Sequence, residues 1–257
     1  MLKPSPIQRF IDLVRDCFAF KADDGQTFIQ VPIPPGCNLP VRSPDFRDWF
    51  FFRVYAECDT VPTTNAFHAI LNLLEAKGSI EDFRRIHVSL RVAYRGPALI
   101  PSQVLLDLAN DQGQFVEISA GGWKTTIANN AFFQTFRSTV DLPAPKAAPA
   151  ESPRPLASPT PALEILRSLL NLPSRNAWLS CLAWLLSTLR PCGPYPFLIL
   201  QGPPGCGKTL AARILRCLID PSTAPLSPIP ATARDLLLLA RHIGSSPSTT
   251  FPPSPRP

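Results

Sequence analysis

The sequence that decides the fold is Tyr195-Pro196-Phe197-Leu198-Ile199-Leu200-Gln201, followed at once by Gly202-Pro203-Pro204-Gly205-Cys206-Gly207-Lys208-Thr209. The first, apolar run is typical of a short buried strand. The second run fits the spacing G-x-x-x-x-G-K-[ST], and residues 208–216 continue it with the apolar spacing of an amphipathic helix. Strand, glycine-rich loop and helix in this order predict a phosphate-binding P-loop.

The residue types of this loop suit the chemistry of phosphate binding. Glycines permit backbone angles at which successive N–H groups point inward at phosphate oxygens, and the helix N-terminus adds partial positive charge. Lys208 would reach the β- and γ-phosphates of ATP, and the Thr209 hydroxyl would bind Mg²⁺ together with the nucleotide. A chance glycine-rich turn is the alternative, which the flanking elements disfavour. The candidate nucleotide-binding residues are Gly202, Pro203, Pro204, Gly205, Cys206, Gly207, Lys208 and Thr209.

Hydrolysis of ATP needs a further acidic residue at the end of a second strand, where it holds Mg²⁺ and orders the attacking water. After Thr209 the only acidic residues are Asp220 and Asp235. Asp220 precedes a proline at a predicted helix end, and Asp235 precedes four leucines that look like a helix start. We therefore expect both to be structural, leave the catalytic residues unknown, and predict weak or absent ATPase activity.

The domain organisation follows from the uneven distribution of proline, which contributes 32 residues, mostly after residue 140. Residues 1–140 predict a small α+β domain of unknown role. Residues 141–162 predict a Pro/Ala-rich linker with nothing to bury. Residues 163–243 predict an incomplete P-loop NTPase α/β domain, because one strand cannot make a doubly wound sheet. Residues 244–257 predict a disordered Ser/Pro tail without a strand.

Hydrophobic periodicity and turn residues predict the individual elements. The predicted helices cover residues 7–18, 43–57, 64–77 (with Gly78 as the stop), 162–170, 176–189 and 208–216. The predicted strands cover residues 17–20 and 27–31 as a hairpin, 86–92, 104–108, 115–118 and 123–126 in an antiparallel meander, and 195–201 before the loop.

Charge and cysteine content limit the partners and the compartment. Residues 1–140 hold 14 basic and 14 acidic residues, whereas residues 141–257 hold 11 and 5, so the net charge of +6 lies in the second part. DNA is a possible partner of such a basic region. The seven cysteines form no C-x-x-C pair and no secretory signal precedes them, so we expect reduced thiols, no metal site and a cytoplasmic protein. The apolar run 177–189 is too short to span a bilayer, so we expect no membrane partner.

The surrounding pattern resembles bacterial and phage-type replicative ATPases of the primase/helicase kind over most of residues 17–241. The segments that carry the resemblance are Leu105-Leu106-Asp107-Leu108-Ala109-Asn110, Val116-Glu117-Ile118, Gly121-Gly122-Trp123, Trp184-Leu185-Leu186, Leu189-Arg190-Pro191, Gly193-Pro194-Tyr195-Pro196, Leu200-Gln201-Gly202, Leu218-Ile219-Asp220-Pro221, Ala224-Pro225-Leu226 and Arg234-Asp235-Leu236. The resemblance implies an ATP-binding protein of DNA replication, and hexamers are possible for the full-length family.

The sequence departs from that family near His242, where the family continues with a strand that ends in an acidic residue. We therefore expect a truncated or frame-shifted relative that is deficient in hydrolysis. Two alternatives stay open. The chain is a DNA- or protein-binding module in which the P-loop segment is vestigial, or it is a small-molecule kinase, for which the proline-rich tail supplies neither a lid nor a base.

Overall fold

A computed structural model describes residues 5–32, 37–80, 85–97, 100–127, 131–134, 136, 138–146, 161–190, 195–224, 226–228, 232, 234–235 and 248–249. These residues form both helices and sheets. The helices are α1 (Pro6–Arg15), α2 (Pro44–Cys58), α3 (Thr64–Ile80), α4 (Pro161–Leu170), α5 (Arg175–Ser187) and α6 (Lys208–Ile219). The strands are β1 (Phe18–Lys21), β2 (Thr27–Val31), β3 (Cys37–Pro40), β4 (Val88–Ser89), β5 (Val92–Arg95), β6 (Gln103–Asp107), β7 (Gln114–Ser119), β8 (Gly122–Ile127), β9 (Phe132–Phe133), β10 (Ser227–Pro228) and β11 (Ser248–Thr249).

The chain divides into two compact units that do not follow the predicted boundary at residue 140. Unit 1 comprises Met1–Arg91, Asp111–Gln114 and Ile127–Arg137, and unit 2 comprises the remaining segments Val92–Asn110, Phe115–Thr126 and Ser138–Pro257. The predicted domain boundaries stay a prediction, because a compact unit is defined by its contacts and a domain by independent folding.

Unit 1 is built on the antiparallel sheet β1-β2-β3, which includes the predicted hairpin. Helix α1 ends at Arg15, earlier than predicted, because Phe18 already pairs with β2. Helix α2 begins where predicted: the Ser43 side chain accepts a hydrogen bond from the Phe46 amide at 3.1 Å, and Pro44 opens the helix. Three helices and one sheet face enclose the main core, formed by Phe10, Val14, Ala19, Ile29, Leu39, Phe46, Phe50, Val54, Ile70 and Leu74 among others.

The predicted helix stop at Gly78 is wrong, because α3 continues to Ile80. Gly78 is buried against the sheet, and a Cβ built there would lie 2.8 Å from Cγ2 of Thr27 and 3.3 Å from main-chain atoms of Phe20. The absence of a side chain at Gly78 therefore allows α3 to lie close to β1, and the glycine does not end the helix.

The opposite face of this sheet carries a second apolar cluster with Phe20 and Phe28 at its centre. Their rings stack with centroids 5.9 Å apart, and Phe132 of β9 lies 4.7 Å from Phe20. Strand β4 pairs with β9 in parallel. The single strand predicted for residues 86–92 is wrong, because β4 ends at Ser89 and β5 begins at Val92. It divides into β4 and β5, which belong to different sheets.

Unit 2 contains the four-stranded sheet β5-β6-β7-β8, whose β6–β7 pair is the predicted hairpin. The prediction that the linker buries nothing is wrong at its start. Leu142 is buried against Leu108 and Val116, and its amide donates to the Leu108 carbonyl at 2.9 Å. An apolar side chain flanked by prolines can still dock on a sheet. Residues 147–160 of the predicted linker lie outside the described residues.

Helices α4, α5 and α6 of unit 2 share an apolar cluster made of Leu170, Trp178, Cys181, Ala211 and Leu215. The prediction that residues 244–257 contain no strand is wrong at Ser248–Thr249, which pairs in parallel with Ser227–Pro228. These two residues contain no proline, so both can take part in a ladder. The remainder of the predicted tail lies outside the described residues.

Candidate functional site

The glycine-rich loop, residues 202–209, leads directly into the first turn of α6. Gly207 is the N-cap of the helix with φ 87°, and Gly205 has φ 80°. Both values lie in the left-handed region that residues with a Cβ avoid. These two glycines let the chain turn tightly just before the helix begins. The N–H groups of the first turn of α6 are thereby left at the end of the loop.

The ammonium group of Lys208 contacts the loop that precedes it. Its Nζ donates to the carbonyl oxygens of Gly202 and Pro203, each at 2.8 Å, and lies 3.6 Å from Sγ of Cys206. No carboxylate of the described residues pairs with Lys208. Among the described residues the cation is therefore held by uncharged acceptors, two main-chain carbonyl oxygens and one thiol, and a positive charge without a carboxylate partner lies beside a helix N-terminus.

The other residues of the loop are exposed, including Pro203, Pro204, Cys206 and Thr209. The Sγ of Cys206 is turned back toward Gly202, where it would lie 2.7 Å from an added Cβ. A side chain at position 202 would therefore require the exposed Cys206 side chain to move. All eight residues predicted from the sequence lie together in this one loop and its first helical turn.

The predicted buried strand at residues 195–201 is wrong. Leu198 and Leu200 pack on the apolar cluster of α4, α5 and α6, but Phe197 is 95% exposed and Ile199 is 73% exposed. No described strand pairs with this segment. The side chains alternate between two faces as in a strand. A strand also requires a neighbouring strand that forms hydrogen bonds with its main chain, and the apolar pattern of a sequence does not predict whether one is present.

The two acidic residues after the loop hold local structure. Asp220 follows the last residue of α6, and its Oδ2 lies 3.8 Å from NH2 of the buried Arg216. Burial lowers the pKa of the Arg216 guanidinium, whereas the charge of Asp220 opposes that shift. Asp235 exchanges hydrogen bonds with Thr232, through its own amide at 3.1 Å and its carboxylate at 2.8 Å. The bond from the Asp235 amide to the Thr232 hydroxyl is of the kind made by an N-cap residue. The predicted helix start at Asp235 stays a prediction, because the four leucines that follow lie outside the described residues.

Sequence reasoning missed Arg216, which is 3% exposed in α6. Its spacing of four residues from Asp220 was the available signal, since such pairs lie on one helix face. The described residues contain no group of three or more His, Cys, Asp or Glu side chains that could hold a metal ion. No helix within the described ranges combines the length and apolar character that crossing a bilayer requires.

Comparison with protein families, with curated proteins and with solved structures finds no match to this chain. The function of the loop therefore has to be inferred from its own geometry.

Proposed function

We propose that this chain binds ATP with Mg²⁺ through the glycine-rich loop. The single observation that supports the proposal is the Lys208 ammonium group, which donates to two carbonyl oxygens of the loop at 2.8 Å and has no carboxylate partner among the described residues. A triphosphate offers this cation charged oxygens in place of neutral ones, and so adds a Coulomb attraction that the carbonyl oxygens do not supply.

The amides at the start of α6 would supply the remaining contacts to the phosphates. Helix α6 has no side-chain cap at Gly207, so its first N–H groups are not occupied by a capping side chain. Thr209 is exposed one residue beyond Lys208, where its hydroxyl is available to a Mg²⁺ ion that arrives with the nucleotide. The ion would come with its phosphates, since magnesium is usually held by substrate oxygens and few protein ligands.

The test is binding of ATP to the purified chain, measured by calorimetry with and without Mg²⁺. Lys208→Ala removes the ammonium group that would contact the phosphates, and we expect ATP binding to be abolished. Lys146→Ala is the matched control, because it removes an exposed lysine that lies outside the loop. Equal ATP affinity of the wild-type chain and Lys208→Ala would refute the proposed site.

We further propose that the chain belongs with replication-type ATPases and acts in the cytoplasm. The six described cysteines form no disulfide with one another, which suits a reducing compartment. The relation to replicative ATPases is supported only by the sequence resemblance, and DNA binding that weakens with salt is the measurement that would support it further.

A further inference from the structure

We infer that residues 197–201 form an open main-chain edge on which a second copy of this chain docks. This inference goes beyond nucleotide binding and does not depend on it. The first observation is the main chain: none of the N–H or C=O groups of residues 197–201 has a hydrogen-bond partner among the described residues. A row of unpaired main-chain groups is the template on which another strand pairs.

The second observation is the placement of the side chains. Leu198 and Leu200 anchor the segment on the helices of unit 2, so one of its faces is already packed. Phe197 and Ile199 point the other way and are 95% and 73% exposed. Phe197 and Ile199 form one apolar patch on an anchored segment, and contiguous exposed apolar patches mark interaction sites more often than single exposed apolar residues do.

The absence of charge favours a second copy as the occupant. Residues 195–201 contain no Asp, Glu, Lys or Arg, so the segment can face itself without repulsion. A two-fold interface requires such self-complementarity, and it closes at two copies. The edge strand β8 carries Lys124 with its side chain 67% exposed, and charges of this kind discourage pairing at an edge.

The area available sets the strength of the association. An aromatic side chain presents roughly 150–250 Å². Phe197, Ile199 and the main chain between them thus offer on the order of 400 Å² per copy, or about 800 Å² for the pair. Stable dimers bury more than about 1,200 Å², so we expect a weak dimer whose population depends on concentration. Main-chain hydrogen bonds across the two segments add to this apolar contact.

The test uses sedimentation equilibrium of the full chain over a concentration series. We expect the wild type to pass from monomer to dimer. Ile199→Lys and Ile199→Glu, each alone, should raise the dissociation constant at least about tenfold, since like charges then meet across the two-fold axis. An equimolar mixture of the two variants should dimerise again. This rescue also shows that both variants are folded.

Phe52→Lys is the matched control, because Phe52 is 70% exposed on α2 in unit 1, and we expect it to dimerise as the wild type does. Lys208→Ala should also dimerise normally, which separates this inference from the nucleotide site. A wild type that stays monomeric throughout the series, or Ile199 variants that dimerise as well as the wild type, would overturn the inference. So would a mixture of the two variants that stays monomeric.

Discussion

The thiol of Cys17 shows how the environment of a single residue sets a pH dependence. Cys17 is 4% exposed in the core of unit 1. Burial raises its pKa, because the thiolate is poorly solvated there, and Asp16 acts in the same direction. Arg53 from α2 and Lys77 from α3 oppose the shift but do not reverse it. The native state therefore binds the thiol proton more tightly than the unfolded chain does.

From this shift we expect stability to fall in alkali. The contribution of the neutral thiol is fully present below the ordinary cysteine pKa of about 8.5, and it is lost as pH rises above that value toward the raised native pKa. Thermal unfolding from neutral pH to about pH 10 measures the effect. Cys17→Ala should show a shallower decline than the wild type, and the exposed Cys217→Ala should not. Parallel curves for all three proteins would contradict the assignment.

At the scale of the element, we expect the substitution Gly78→Ala in helix α3 to change stability in the direction opposite to the one that helix propensity predicts. Propensity alone favours Gly78→Ala by about 1 kcal/mol. The added Cβ would instead lie 2.8 Å from Thr27 Cγ2 and 3.3 Å from the Phe20 main chain. We therefore expect destabilisation of roughly 1–3 kcal/mol from overpacking.

Urea unfolding measures this effect, with Ala69→Gly as the calibration. Ala69 is exposed in the middle of the same helix, so its replacement by glycine should cost only the propensity difference of about 1 kcal/mol. If Gly78→Ala gained stability by a similar amount, the close packing of α3 on β1 would not limit this position.

The same elements show what a sequence can and cannot predict. Ser43-Pro44 marks the start of α2 correctly, because the cap hydrogen bond is local. Gly78 misleads, because its role depends on a strand about fifty residues away in the chain. The apolar run 195–201 correctly predicts that side chains alternate between a packed and an exposed face. It does not predict that no described strand pairs with this segment. The turn of the glycine-rich loop can be anticipated from its own glycines, of which Gly205 and Gly207 take positive φ values, whereas nucleotide binding by the loop stays a prediction.

At the scale of the whole molecule, binding of ATP and its hydrolysis are separable. Hydrolysis requires a carboxylate near the magnesium ion and the attacking water. Asp220 lies at the far end of the 12-residue helix α6, about 18 Å from the loop at 1.5 Å per residue, and faces Arg216. Asp235 is engaged with Thr232. Asp220 is therefore not placed to complete a catalytic site around Lys208.

We accordingly expect the purified chain to bind Mg²⁺·ATP without appreciable turnover. Phosphate release in steady state should be the same for the wild type and Lys208→Ala, even at concentrations where the wild type dimerises, because residues 197–201 bring no acidic group to the interface. Robust, magnesium-dependent release by the wild type that Lys208→Ala abolishes would show that a carboxylate does reach the loop. Replacement of Asp220 and Asp235 by asparagine, one at a time, would then identify which carboxylate supplies it.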